Sequence, residues 1–176
     1  EAGYPNGFST AIYTAQDPAR RKIGELMQAY LMQVGIKLEV KTIEWGAFLA
    51  LVDSGDVPIM TLGFNRGTDP DNYLYSLFRS TPEAWAVNGA TFNNSQYANP
   101  EVDKLLEQAR QITDQNERKK LYSRAQEIIF LEDVVHLPAY HRNEVSGYRT
   151  YVQDFQADPL GRVILVTQKR NVWLNK

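Results

Sequence analysis

The sequence predicts an α/β fold, a central mixed sheet flanked by helices, and three observations predict it. Strand-like and helix-like segments alternate along the chain. Residues 57–64 are apolar on both faces (Val57, Ile59, Met60, Leu62) apart from Pro58 and Thr61, which suits a strand covered by helices on either side. That segment runs through a polar loop, residues 65–68, into a helix start at Asp69-Pro70. Open α/β sheets place their ligands where a loop leaves the carboxyl end of a strand for a helix N-terminus. A chain of 176 residues suits one domain with a real core.

Taken in order, Tyr4-Pro5-Asn6-Gly7 is a turn by its Pro and Asn-Gly content. Residues 8–14 alternate as a strand does, with Phe8, Thr10 and Ile12 on one side. Asp17-Pro18 opens a helix, an acceptor side chain at the cap and Pro in the first position. Ile23, Leu26, Met27, Tyr30, Leu31 and Val34 form its apolar stripe, and Gly35 ends it. Arg20, Arg21 and Lys22 lie near its start, against the helix dipole, as a solvated face or a docking patch. Ile36, Leu38 and Val40 alternate with charged residues as a half-buried strand. Residues 45–53 form a short helix with Phe48, Leu49 and Val52 inward, stopped by Ser54-Gly55.

Residues 80–98 have little periodicity and read as a surface excursion, with Trp85 and Phe92 either anchoring it or facing a ligand. Asn99-Pro100 starts a helix with Val102, Leu105, Leu106, Ala109 and Ile112 inward. Asp114 and Glu117 have capping-box spacing. The helix they open runs to about residue 131 with Leu121, Tyr122, Ala125, Ile128 and Ile129 inward, so the two form a helical hairpin. Residues 134–140, 143–151 and 163–167 are expected strands, and the tail carries an exposed Trp173, suited to packing on another surface.

Composition removes several chemistries. There is no cysteine, which excludes disulfides, thiolate nucleophiles and zinc–cysteine sites. A formal net charge of −2 with interspersed signs implies no basic face for nucleic acid. No apolar run approaches the roughly 20 residues of a membrane span. The chain opens at Glu1-Ala2-Gly3-Tyr4 without a basic-then-apolar leader, as a mature protein or an excised fragment would. His136 and His141 fall on opposite faces of their expected strand, and no acidic cluster beside them completes a metal site. Neither a metal nor a cofactor is expected. No nucleophile stands with a base. Asp69 and Asp71 could be a hydrolytic carboxylate pair, but a cap and a first-turn acid explain them better. No catalytic residue is therefore assigned.

Binding is better supported. Trp45 begins a helix where a strand ends, and Phe64 ends the neighbouring strand, so the two could wall one pocket. Arg66 in the following loop could make a bidentate contact to an anion. Trp45 could equally be ordinary core, and Arg66 an ordinary surface ion pair.

Six segments then resemble, in the same order, the C-terminal lobe of extracellular solute-binding proteins of the peptide/nickel (dipeptide and oligopeptide) class of ABC importers. They are EAGYPNGF at 1–8, ARRKIGELMQAYLMQVGIK at 19–37, IEWGAFL at 43–49, LGFNRGTDPDNYLYSLF at 62–78, NPEVDKLLEQAR at 99–110 and ERKKLYSRAQEII at 117–129. ADPLGR at 157–162 and NVWL at 171–174 resemble the closing segment of that family. The resemblance implies a lobe of a type II periplasmic-binding-protein fold. Residues 1–136 would form the ligand-binding lobe, and 137–176 a crossing strand and a segment packing on an N-terminal lobe absent from this chain. It implies a substrate-binding component that hands a peptide-like or other small polar solute to a membrane permease. The implied location is periplasmic or extracellular, with a lipoprotein anchor as a further expectation. The alternatives are a hydrolase using Asp69 or Asp71, or a signalling module on the same fold.

The resemblance also implies ligand contacts at Trp45, at the loop after Gly63-Phe64 (Phe64, Asn65 and Arg66) and, more remotely, at Tyr140. Peptide-binding members commonly carry Trp and, two residues on, an Asp for the peptide ammonium. Here Phe64 replaces the Trp, and Arg66 or Gly67 falls nearest the Asp. A cation cannot hold an ammonium, so the expected ligand presents a carboxylate, a phosphate-like group or hydroxyls.

Overall fold

The structure is a computed structural model that describes residues 3–64, 67–80, 93–140, 143, 145–155, 166–167 and 170–175. Its centre is a parallel three-stranded sheet in the order β2-β1-β3, formed by β1 (Phe8–Ala15), β2 (Ile36–Ile43) and β3 (Ile59–Thr61). Ile12 of β1 stands opposite Val40 on one side and Ile59 on the other. Parallel neighbours need a crossover between them. Helix α1 (Pro18–Met32) carries the chain from β1 to β2, and α2 (Trp45–Ser54) carries it from β2 past β1 to β3.

The two helices cover opposite faces of β1, as alternation along the strand requires. A Cβ on Gly24 of α1 would lie 3.0 Å from Val40 and 3.6 Å from Ile12, so this glycine lets α1 approach the Ile12 face closely. On the other face Ala15 packs with Phe48 and Val52 of α2, ringed by Tyr13, Ile43, Met60 and Leu62. Asp17 caps α1 through the backbone N–H groups of Ala19 and Arg20, at 2.9 and 3.0 Å. Glu44 caps α2 through the N–H of Ala47 at 3.1 Å.

A second core is helical. Helix α3 (Asp71–Phe78) packs on the hairpin of α4 (Pro100–Gln111) and α5 (Gln115–Glu127). Leu74, Leu77, Phe78, Val102, Leu106, Ala109, Tyr122 and Ala125 are buried together there. Asn99 and Asp114 cap α4 and α5 as their positions predict. Ile128–Glu132 continues α5 as a π turn, in which the N–H of Asp133 reaches the carbonyl of Ile128. The wider turn is consistent with burial of Ile128 and Ile129 side by side.

Several expected strands differ. The strand expected over 57–64 contracts to Ile59–Thr61 and lies at an edge of the described sheet, half-buried. The described central sheet is parallel rather than mixed. Pro58 has no N–H for a ladder. Val57, Met60 and Leu62 pack against the Phe48–Val52 cluster rather than between two further strands. Residues 134–140 form no strand, and among 143–151 the described residues form none. Leu137 and Val145 are exposed, so alternating apolar residues there meet no partner ladder among the described residues. Short antiparallel pairs do occur near the end, β4 (Val152–Gln153) with β7 (Trp173–Leu174), and β5 (Val166–Thr167) with β6 (Arg170–Asn171). Trp173 is half-exposed, its indole N–H donating to Asp154 at 3.2 Å. Trp85, Phe92 and the turn at 158–161 lie outside the described residues.

Candidate functional site

The carboxyl ends of β1, β2 and β3 share one edge of the sheet because all three run parallel. The strand order places the topological switch between β1 and β3: one crossover leaves β1 toward β2, and the next returns to its opposite side. In open α/β sheets the crevice at such a switch is the ligand position. Three segments leave this edge: residues 15–17 into α1, Glu44-Trp45 into α2, and 62–64 toward α3.

Trp45, the first residue of α2, is 47% exposed, with its ring 5.9 Å from that of Phe48. A core tryptophan would be buried, so the structure selects the exposed reading. Glu44 beside it is turned to the helix start. The amides of Gly46 and then Ala47 hold its carboxyl below the usual carboxylate range.

Phe64 is half-buried and packs on the helical core. Its ring meets Tyr73 edge-on at 6.3 Å, and its carbonyl accepts the Tyr73 hydroxyl. Phe64 and Trp45 therefore stand at one sheet edge with their rings on different partners. Asn65 and Arg66 lie outside the described residues. Tyr140 is exposed in an extended segment, and no ring contact or hydrogen bond among the described residues joins it to Trp45 or Phe64.

A residue read in the sequence as solvated face or docking patch enters the site. Arg20, in the first turn of α1, holds its guanidinium 5.7 Å from the centre of the Trp45 ring. A Cβ on Gly63 would meet the same guanidinium at 3.6 Å. Arg20 thus links the ends of β1, β2 and β3. Its neighbour Arg21 instead pairs with Glu25 along the helix at 2.9 Å. The signal was present in the sequence: Asp17-Pro18 sets Arg20 in the first turn of a helix leaving a strand end.

The two loop aspartates have structural partners. Asp69 receives both terminal nitrogens of Arg118, at 3.1 and 3.2 Å, and the N–H of Asp71 at 2.9 Å. It caps the turn before α3, and α3 itself begins at Asp71. Asp71 accepts the Tyr122 hydroxyl at 3.3 Å and lies 3.4 Å from Arg110. Arg118 holds the Asp69 carboxyl below its usual range. Both carboxylates clamp α3 to the α4–α5 hairpin, so the arrangement offers no free acid–base pair.

His136 is not on a strand. It packs edge-on against Phe78 at 4.7 Å, and burial lowers its pKa. His141 lies outside the described residues. Among the described residues no group of three or more His, Asp or Glu side chains could hold a metal, and no helix is long and apolar enough to cross a membrane.

The parallel sheet gathers three strand-to-helix turns at one edge, and its neighbours among solved structures are type II periplasmic binding proteins. Residues 1–85 match the model for bacterial extracellular solute-binding proteins, family 5, middle region. The chain is 32% identical over 155 residues to di/tripeptide-binding protein 1 of Pseudomonas aeruginosa, covering 88% of this chain and 28% of that protein. It superposes on HbpA2 of Haemophilus parasuis with a TM-score of 0.74 at 31% identity, covering 99% of this chain and 33% of the other. It also superposes on the periplasmic binding protein DppA of Helicobacter pylori, solved with the peptide STSA, with a TM-score of 0.65 at 36% identity. That match covers 76% of this chain and 25% of DppA. Over residues 1–85, and in these relatives, the chain is similar to family 5 of the bacterial extracellular solute-binding proteins. It spans between a quarter and a third of the length of these relatives.

Proposed function

We propose that this chain is the C-terminal ligand-binding lobe of the substrate-binding component of an ABC importer. It captures a small polar or peptide-like solute outside the cytoplasm and presents it to a membrane permease, without turnover. The observation that carries this reading is the strand-end edge: Trp45 stands exposed after β2, beside the switch between β1 and β3, in a chain similar to this family. An exposed indole at a strand-end edge offers a flat apolar face, with one polar N–H, on which a ligand can lie. The Asp69 and Asp71 contacts remove support from the hydrolase alternative.

The chain covers 28% of its di/tripeptide-binding relative, which supports a second lobe closing over this edge. On this reading residues 1–136 form the lobe, and residues 137–176 cross to its partner. Exposed Leu137, Tyr140, Val145 and Trp173 supply the surface that would be covered. Secretion, with a lipoprotein anchor, completes the proposal.

The ligand is anionic or hydroxyl-rich rather than a peptide held by its ammonium, because Arg66 or Gly67, neither of them an acid, falls nearest to where peptide-binding members carry an acid. The test is calorimetric titration of the full-length protein with Ala-Phe and N-acetyl-Ala-Phe. The acetylated form is expected to bind at least as well as the free dipeptide, and Arg66→Ala is expected to weaken both. Tight binding of the free dipeptide that Arg66→Ala leaves unchanged contradicts the reading.

A further inference from the structure

We infer that Arg20 is the specificity-determining anion receptor of this site, taking a ligand carboxylate at the sheet edge with Trp45 as its platform. The inference rests on the proposed solute-binding role and deepens it.

Four observations carry it. First, the position is the switch point itself: Arg20 follows the end of β1 and faces Gly63 after β3, the two strands between which the crevice opens. Second, the guanidinium has neighbours at this edge. It lies over the Trp45 ring and against the hydrogen-only face of Gly63, and the residue is half-buried. A guanidinium 5.7 Å from the indole centre is within cation–π reach, and its planar fork of donors matches a planar acceptor.

Third, the site's own acids are engaged elsewhere. One Asp17 oxygen accepts the backbone N–H groups of Ala19 and Arg20. Glu44 accepts from the α2 amides. Among the described residues Arg20 itself makes no ion pair. Among the other arginines whose side chains are described, Arg21, Arg79, Arg110, Arg118 and Arg124 pair with carboxylates, and the unpaired Arg149 is exposed where Arg20 is half-buried. A half-buried cation that makes no internal ion pair keeps its donors available to an external carboxylate.

Fourth, Gly63 is permissive by size. A Cβ there would come to van der Waals contact with the guanidinium, at 3.6 Å.

The ligand class follows: a small molecule bearing a carboxylate, bound by two parallel N–H···O contacts, with flat or apolar surface beside it to lie on Trp45. The experiment uses the full-length protein with N-acetyl-Ala-Phe and its C-terminal amide, compared in wild type, Arg20→Gln and Arg20→Lys, with thermal unfolding confirming folded variants. Wild type is expected to prefer the acid over the amide by about 10-fold or more, the scale of a charge-assisted pair. Arg20→Gln is expected to bind acid and amide alike. Arg20→Lys keeps the charge without the planar fork. It is expected to lose part of the preference, and gives the answer alone should Arg20→Gln not fold. Acid preference unchanged in both variants overturns the role of Arg20 while leaving the solute-binding reading intact. Failure of wild type to bind either compound overturns the peptide-like ligand class and this inference together.

Discussion

At the scale of single residues, two side-chain environments make predictions independent of any ligand. Gly7 has φ +71°, and a Cβ on it would lie 1.8 Å from the carbonyl oxygen of Gly35. The turn before β1 and the turn before β2 meet there backbone to backbone. Gly7→Ala combines left-handed strain with a clash against a backbone that cannot swing aside. It is expected to cost roughly 2–4 kcal/mol, measurable by urea unfolding. His136 gives a pH signature. Burial against Phe78 lowers its folded pKa below the ordinary 6.5, so the unfolded chain binds the proton more readily. Its contribution is fully present above about pH 6.5 and is lost as pH falls from there through the folded value. His136→Phe should flatten that part of a stability–pH curve, and a curve unchanged by the substitution would remove the assignment.

The residue scale is also where the sequence was least legible. Trp45 and Phe64 could be named from their places at strand ends. Whether a tryptophan is core or platform depends on what packs over it, and spacing carries no record of that. Arg20 was hidden by its neighbours: in a run of three cations each looks solvated, and only the fold turns one inward and leaves Arg21 to Glu25.

At the scale of elements, helices were legible and late strands were not. Helices α1, α4 and α5 announced themselves by Asp17-Pro18, Asn99-Pro100 and Asp114, whose side chains bond amides two and three residues on. Those signals are local. A strand is completed by its neighbour, so alternating residues 134–140 carried a strand pattern with no ladder to join. The π turn after α5 was invisible for a similar reason, since it answers to the packing of Ile128 and Ile129.

The element-scale prediction concerns the loop entering α3. Asp69 and Arg118 form a bidentate pair between that loop and α5, with the Asp69 side chain 44% exposed and that of Arg118 16%. Solvent screening on the carboxylate side limits the coupling to about 1 kcal/mol in a double-mutant cycle of Asp69→Asn and Arg118→Gln. Because the folded carboxyl titrates below its ordinary 3.8, this contribution is present above about pH 4 and lost as pH falls through the folded value. Loss of ligand turnover in Asp71→Asn with stability intact would instead revive a catalytic role for this pair.

At the scale of the whole molecule, the β2-β1-β3 order with helices on both faces and a helical hairpin brings the three strand ends to one edge. The order of resembling segments made the α/β fold legible from sequence, and the comparisons find the same family similar to this chain. Strand order was not legible, and it is what turns three loops into one site. The central claim is that ligand seats on that edge. The direct measurement is the calorimetric affinity of the full-length protein for N-acetyl-Ala-Phe in wild type and Trp45→Ala, whose ring is half-exposed and whose loss spares the core. The account predicts affinity weakened about 10-fold or more with unfolding unchanged. Equal affinities in the two proteins would contradict it.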